Sequence, residues 1–547
     1  MASGSPPPRL RSRTIGLWLE ARGVRQEGAE WERYIAPRLA HLTRPDAMAD
    51  RERAVTRIGR ALTQGETIVV FGDYDCDGMT ATAILADGLR KLGARLVVPI
   101  LASRFSGGYG LSGAALERVL AADPGLVITC DCGSSDHVTL RQIQARGLDA
   151  IVIDHHLVPE ETLPAFAFLN PHRPECGFPY KGLASCGLAL SVLAGVRTKL
   201  ERALDVRDWL DLVAIGTIAD VAPLTGDNRV LTRAGLSLLA EGKRVGLRAL
   251  FDLIGIEAGK RLAASDVSFR VAPRLNAPGR LGSPEIVLDL LLETDIARAR
   301  ELASAIESQC QARRLEQDKI LNEAEEMIAQ AGQQSALVLG KEGWNHGIVG
   351  IVAGRLADQK GLPTVVVGFE GEVGRGSVRG PAGFPLFDVV SACQGHLERF
   401  GGHQAALGLE VRKENLEAFR RKFIAVCESY TDYEKPAAEE PFLVAPEDRL
   451  ADVFEDLCLL EPCGEANPRP TLGVEGEILS ARSVKGGHLK LELRLPSGSR
   501  VTAFGPGLGA KADELSGRVR LTCELRENHF LGSTNVELLV RELPVLL

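Results

Sequence analysis

"VVFGDYDCDGMT", residues 69–80, sets three aspartates, Asp73, Asp75 and Asp77, at every second position behind an apolar run. Carboxylates crowded in this way raise one another's pKa and repel unless a cation sits among them. The stretch therefore predicts a strand that ends on a metal site, and the fold can be read outward from it. On its near side "ETIVVFG" is a buried strand. On its far side "DGMTATAILADGLRKLG" has the character of a helix, with Asp77 as N-cap and Gly93 as the stop.

Further units of the same kind follow. "ARLVVPI", "GLVITC" and "LDAIVI" read as strands, separated by helices around "LSGAALERVLAA" and "HVTLRQIQARG". Repeated βα units with Val/Ile-rich strands predict an α/β fold with a mostly parallel sheet covered on both faces. Upstream, residues 15–65 read as helical, with Val55, Ile58 and Leu62 at helical intervals. Downstream, 184–300 reads mainly as helices, and from Ile296 to about Gln330 the chain is charged and free of Gly and Pro, which predicts one long helix bridging two lobes. A second α/β segment runs from "ALVLG" to near residue 430, and "TDYEKPAAEEP" (431–441) reads as a linker. Beyond it, alternation and turn signals predict an antiparallel β-barrel of about five strands, compatible with an OB-fold.

A chain of 547 residues exceeds one core and predicts several domains. Apolar runs such as "GLVIT" and "TVVVG" are strand length, far short of a bilayer span. "MASGSPPPRLRSRT" is basic and proline-rich without the apolar core of a secretory signal, and is expected to be a disordered leader. Eleven scattered cysteines predict free thiols in a reducing cytoplasm, and "TCDCG" lacks the second ligand pair that a zinc site needs. A net charge of -8 excludes a uniformly basic nucleic-acid binder and leaves room for a local basic groove.

The chemistry lies in a repeated event, an apolar run that ends on an acid. Asp73 and Asp75 follow "TIVVFG", Asp131 follows "GLVITC", Asp154 follows "LDAIVI" and leads into His155 and His156, and Asp220 ends "LVAIGTIAD". If each run is a parallel strand, the acids share one sheet edge. Carboxylates with one or two imidazoles suit Mn²⁺ or Mg²⁺ better than Zn²⁺. Two such ions carry the charge that Asp73, Asp75, Asp131 and Asp220 would balance, and a bridged pair serves phosphoester hydrolysis.

In their order along the chain, "FGDYDCDG", "TCDCG", "DHH" and "GTIADVAPL" resemble the four motifs of the DHH phosphoesterases. "VAPRLNAPGRLG", "GWNHGIVGIVAGRL", "GRGSVR", "RFGGHQAALG" and "EPCGEANPRP" narrow the likeness to the branch of that family that degrades single-stranded DNA from 5' to 3' in bacteria. It covers the chain from about residue 60 onward. The resemblance implies a leader with N-terminal helices over 1–60, a DHH lobe over 61–295, a connecting helix over 296–332, a smaller α/β DHHA1 lobe over 333–430, the linker, and an OB-fold over 442–547.

Carried onto this sequence, it implies Asp73, Asp75, Asp131, His155 and Asp220 as metal ligands, Asp154 orienting His155, and His156 facing the scissile phosphate and protonating the leaving oxygen. Arg274, Asn276, Arg280, Ser377 and Arg379 would grip DNA phosphates, Arg104 and Tyr109 the 5' end, and Gly401, Gly402 and His403 would form a tight turn against the backbone. The family's first motif usually begins with His, and Phe71 stands there instead, so two ions are expected with one of them labile. Single-stranded DNA, a single-strand-binding protein and a helicase are the implied partners of a cytoplasmic monomer. Two other readings stay open, a DHH enzyme for short oligonucleotides or small nucleotides and a non-catalytic DNA-binding scaffold.

Overall fold

The computed structural model describes residues 8–547 apart from 106–107, 333, 404–405, 431–439 and 531–532, and leaves undescribed the side chains of 403, 529–530 and 533–534. Most of the linker predicted over 431–441 thus lies outside the described residues.

The first sheet holds five parallel strands, β1 (Thr67–Gly72), β2 (Leu96–Leu101), β3 (Leu126–Cys130), β4 (Asp149–Ile153) and β5 (Ala167–Leu169), in the order β2-β1-β3-β4-β5. Successive side chains of a strand point to opposite faces. Ile68 and Val70 accordingly join one core cluster, with residues of the helices Arg51–Gln64, Cys76–Lys91 and Ser185–Lys199, while Val69 and Phe71 join another, with Gly113–Ala121 and His137–Ala145. Both faces are covered, which is why the strands read as unbroken apolar runs. The chain leaves β1 for β2 on one side and returns to β3 on the other. In such sheets the crevice at the reversal, beyond the carboxyl ends of the strands, is where ligands bind. Asp73 and Asp131 are its two lips.

Two local expectations are corrected. "LVAIGTIAD" is the helix Leu210–Ala219 with Asp220 as its C-cap, and Leu210 to Ile218 are all buried. A helix enclosed on every side shows no polar stripe, so periodicity does not separate it from a buried strand. Asp77 is not the cap of the Cys76–Lys91 helix. The carboxylate of Asp75 accepts from the N–H groups of Asp77 (3.0 Å) and Gly78 (3.1 Å), which puts Asp77 inside the first turn.

The helix Ile296–Ala331 has 36 residues and is about 54 Å long at 1.5 Å per residue. Its Leu302 and Ile306 pack in the first lobe, and Ile320, Leu321 and Ala324 pack in the second. The second lobe is a five-stranded mixed sheet of β6 (Leu337–Glu342), β7 (Thr364–Glu370), β8 (Val373–Arg379), β9 (Arg399–His403) and β10 (Ala406–Arg412), ordered β6-β7-β8-β10-β9 and parallel only between β6 and β7.

The C-terminal sheet comprises β11 (Phe442–Leu443), β12 (Leu472–Val484), β13 (His488–Arg494), β14 (Arg500–Gly505), β15 (Arg518–Phe530), β16 (Ser533–Val540) and β17 (Val545–Leu546). Because β12 pairs with both β13 and β15, and β14 pairs in parallel with β16, the five long strands close into a barrel with β11 and β17 as short additions. The N-terminal helices do not form a unit before the first lobe. Ile15, Trp18 and Leu19 of Arg13–Ala21, with Trp31 and Ile35 of Gly28–Ile35, share the barrel's core cluster. Nor are the last residues of the predicted leader loose: Asp456 accepts from the Arg11 and Ser12 N–H groups at 2.7–3.0 Å, and Asp448 accepts from those of Arg13 and Thr14. Among the described residues no helix is long and apolar enough to cross a membrane.

Candidate metal centre and nucleic-acid cleft

Three acids stand one residue past a strand end and keep the sheet's hydrogen bonding. The N–H of Asp73 donates to Cys130 O (3.2 Å), that of Asp131 to Ile153 O (2.9 Å) and that of Asp154 to Leu169 O (3.0 Å). Adjacent strands are about 4.8 Å apart, so the sheet itself brings these carboxylates together. Asp131 adopts φ 62°, a left-handed backbone that turns its side chain sharply off the strand. Gly78 is required by the close approach: a Cβ there would lie 2.6 Å from the backbone of Asp73.

Among the described residues, three sets of ligand atoms lie within 4.8 Å of one another: Asp73, Asp75 and Asp131; Asp77, His155 and Asp220; and Asp131, His155 and His156. The first two define neighbouring cation positions, joined where His155 Nε2 lies 3.3 Å from Asp131 Oδ1. The same nitrogen is 3.5 Å from Asp220 and 3.9 Å from Asp77. All five predicted ligands therefore meet, and Asp77 meets them. Its carboxylate is held by the N–H groups of Ser185 (2.6 Å) and Cys186 (2.9 Å) at the start of the Ser185–Lys199 helix, a favourable place for a negative charge. Read as a cap, Asp77 was passed over as a ligand, although the regular spacing of the three aspartates was a signal for it.

The residues present fit a divalent cation. His155 Nε2 and Asp73 Oδ1 are buried without a hydrogen-bond partner, which is rare unless something else binds them. Burial, then neighbouring acids, raises the carboxyls of Asp73 and Asp131 well above the usual range, and Asp220 is pushed up to about 8 by burial and then by Asp77 and Asp75. Hard oxygen ligands with an imidazole are the donor set of Mn²⁺ or Mg²⁺. Phe71 contributes nothing to it. The ring is fully buried in the cluster of Val69, Leu140 and Val152, and the Asp73–Asp75–Asp131 position has no imidazole.

Asp154 orients the other histidine from the one expected. Its Oδ1 accepts from His156 Nδ1 at 2.8 Å, whereas it reaches only the backbone N–H of His155, also at 2.8 Å; Oδ2 takes the N–H of Ser134. His155 leans away toward the acids, so only His156 can place its ring on Asp154. Burial opposes ionisation of both members, but the bond between them prevails: Asp154 is held at about 2 and His156 is raised to about 9. The Tyr109 hydroxyl lies 3.1 Å from His156 Nδ1 and 3.2 Å from Asp131 O, which brings that residue against the centre.

The predicted phosphate-side residues divide. A cavity of about 420 Å³ between the lobes is lined by Tyr74, Arg104, Tyr109, Ser377 and Gly401, together with Arg375, Arg399 and His346, which were not singled out from the sequence. Arg104 stacks over Tyr74 at 4.5 Å, and the Nε atoms of Arg104 and of Arg313, on the connecting helix, are buried without a partner among the described residues. Arg280 donates to Gly347 O (3.2 Å), and burial, then the charges of Arg104 and Arg313, lowers its pKa to about 10. Guanidiniums that feel one another's charge in this way are the donor set that a phosphate would satisfy. Asn276 Oδ1 is buried without a partner, and Arg379 donates to the adjacent Val378 O at 2.8 Å.

Arg274 is not part of this group. It lies partly buried against Glu307 of the connecting helix at 2.5 Å and donates to Arg270 O, so it fastens two helices together. Gly401, Gly402 and His403 lie in the strand β9 and not in a tight turn; Gly402, at φ 136°, sits where a Cβ would strike Ala406 O, so β9 and β10 approach closely there. The side chain of His403 is outside the described residues.

Comparison with known proteins places these parts in order. The DHH family, N-terminal domain, matches residues 67–217; the DHHA1 domain matches 333–429; the RecJ OB domain matches 443–542. Single-stranded-DNA-specific exonuclease RecJ of Dickeya dadantii (strain 3937) is 35% identical over 519 residues, which cover 90% of each chain. The protein of the same name from Bacillus subtilis (strain 168) is 33% identical over 511 residues, 92% of this chain and 64% of the relative, which is thus considerably longer. Among solved structures, RecJ in complex with Mn²⁺ from Thermus thermophilus superposes with a TM-score of 0.82 at 31% identity, over 97% of this chain and 75% of that one.

Proposed function

This chain belongs to the RecJ family, and from that premise we propose that it is a metal-dependent exonuclease removing 5'-mononucleotides from single-stranded DNA in the 5'-to-3' direction. The observation that carries the reading is the meeting of Asp73, Asp75, Asp77, Asp131, His155 and Asp220 at one sheet edge, beside an arginine-lined cavity between two lobes. Divalent ions held there would activate water and neutralise the charge of a phosphoryl displacement. Asp73, Asp75 and Asp131 would hold one ion, and Asp77, His155 and Asp220 the other; with Phe71 in place of an imidazole ligand, the first position is the more labile.

The chain's own groups supply the rest. Arg104, Arg280 and Arg313 draw the DNA phosphates, with Ser377 and Arg379 beside them. His156, kept protonated by Asp154, carries a proton for the leaving oxygen. The slot between the lobes admits one strand, and the barrel extends the grip through basic and aromatic contacts. We assign the chemistry to residues 61–295, the second wall of the slot to 333–430 and the barrel to 442–547. The family supports a cytoplasmic monomer in repair and recombination, with a helicase and a single-strand-binding protein presenting the strand.

Direction and product decide the reading. With Mn²⁺ and 5'-phosphorylated single-stranded DNA, a 5' label should appear at once as mononucleotide, while a 3' label should pass through a ladder of shortening strands. The reverse pattern, or equal attack on duplex, overturns the proposal.

A further inference from the structure

The segment that carries Asp220 is not held by its own lobe alone. Asp220 caps one helix, and the chain runs through Val221, at φ 57° and largely exposed, then Ala222, Pro223 and Leu224, before the helix Gly226–Glu241 begins. Irregular backbone of this kind keeps one geometry only if outside partners fix it. Within the lobe, the Tyr180 hydroxyl and the Asn228 amide both donate to Pro223 O at 3.0 Å. From the C-terminal domain, Glu465 O accepts the N–H of Leu224 at 2.8 Å. Gly464 lies so near that a Cβ there would be 2.8 Å from Leu224 Cδ1, and Leu224 is 2% exposed.

The loop Glu461–Asn467 that makes these contacts is itself clamped to the first lobe. Arg229, 3% exposed, donates through Nη1 to Leu460 O (2.8 Å) and Pro462 O (3.2 Å), and through Nε to Tyr34 O (2.8 Å). Arg233, one turn on, donates to Glu461 O at 2.5 Å. The Glu461 carboxylate in turn accepts the N–H of Ala264 at 3.2 Å, upstream of the helix that carries Asn276 and Arg280. A buried guanidinium whose hydrogen bonds all go to carbonyls, with the Tyr34 ring 4.4 Å away as its other partner, is costly to desolvate. What it gains is a fixed distance between loop and lobe.

We propose that the Glu461–Asn467 loop is a positioning element for Asp220, so that the barrel domain completes the metal centre as well as holding DNA. The inference rests on the reading of Asp220 as a metal ligand. It implies that deleting residues 440–547 does not separate strand grip from chemistry, because the deletion also unseats Asp220 and depresses cleavage of a dinucleotide too short to reach the barrel.

The test uses the full chain with Gly464→Val, which drives Leu224 out of place, and the same variant with Leu224→Ala, which reopens the space. Mn²⁺ binding is measured by titration calorimetry without DNA, and kcat on a 5'-phosphorylated dinucleotide. Support for a metal ligand from surrounding groups is worth about 10- to 100-fold in affinity or activity. Gly464→Val should therefore weaken one class of Mn²⁺ site by about tenfold and lower dinucleotide kcat by a similar factor, leave single-strand binding in EDTA unchanged, and be partly rescued by Leu224→Ala. Should Gly464→Val not fold, Gly464→Ala is read the same way with a smaller shift. Unchanged Mn²⁺ affinity and dinucleotide kcat in the folded variant overturn the proposal. If the unaltered protein binds Mn²⁺ but leaves DNA intact, the nuclease reading fails while calorimetry still decides the brace.

Discussion

The acids and the arginines of the cleft are held in opposite ways. Asp73, Asp131 and Asp154 hang on the hydrogen bonds of one sheet, so their positions are set by the core of a single lobe. Arg104 comes from the loop after β2, Arg280 from the end of a helix and Arg313 from the connecting helix, and two of the three keep a buried Nε without a partner. These three carboxylates are thus placed by the sheet itself, and the cost is like charge confined in a small volume. The phosphate side of the proposed site is assembled from separate segments, and an anion would complete it.

Breaking the acid side should give the largest effect. Asp131→Ala removes a ligand of one cation position whose Oδ1 also lies 3.3 Å from His155 of the other, and should lower nucleotide release in Mn²⁺ by on the order of a thousandfold, with single-strand binding in EDTA retained; activity persisting in a purified variant would point to another site. Next in size is Asp154→Asn, which frees the His156 ring without touching a ligand. Its kcat should fall by about 10- to 100-fold while Mn²⁺ affinity, measured by calorimetry, stays put.

The arginine side should respond more weakly and in a different quantity. Arg280→Gln should raise KM for a long strand by about tenfold and reduce the salt slope of binding by about one. Arg274→Gln sharpens the contrast, because breaking its partly buried pair with Glu307 should cost about 2 kcal/mol of stability and leave the salt slope as it was.

The smallest signal is thermal. Unfolded, Asp220 titrates at about 4, and in the folded chain at about 8. A carboxyl raised on folding contributes stability that is complete below about pH 4 and is lost as pH rises toward about 8. In EDTA the protein should therefore melt a few degrees lower at about pH 8 than at about pH 5.5. Saturating Mn²⁺, worth about 2.7 kcal/mol at a hundredfold excess over Kd, should restore more at the higher pH. An equal gain at both would separate the carboxyl from the metal.

What the sequence made legible follows the same division. Strand ends were readable because an apolar run closing on an acid is a local pattern, and β1, β3 and β4 obey it. Asp220 reached the centre by another route, from a helix whose wholly buried surface erased the period that would have named it. Asp77 was hidden because a position just behind a turn suits a cap as well as a ligand. The pairing of Arg274 with Glu307 joins residues 33 apart, and that of Ser12 with Asp456 joins residues 444 apart; neither leaves a mark in any short window. The spacing of Ile15, Trp18 and Leu19 does show that the first helix has a face to bury, though not what covers it.

That face is covered by the barrel, and the order of synthesis gives this a cost. Ile15, Trp18, Leu19, Trp31 and Ile35 leave the ribosome long before Leu450 to Val540, against which they pack. The first lobe can fold in between, since domains form as they emerge. While the residues between are being made, a pair of tryptophans waits without a cover, so slow elongation should favour capture by a chaperone or aggregation through the two helices that carry them.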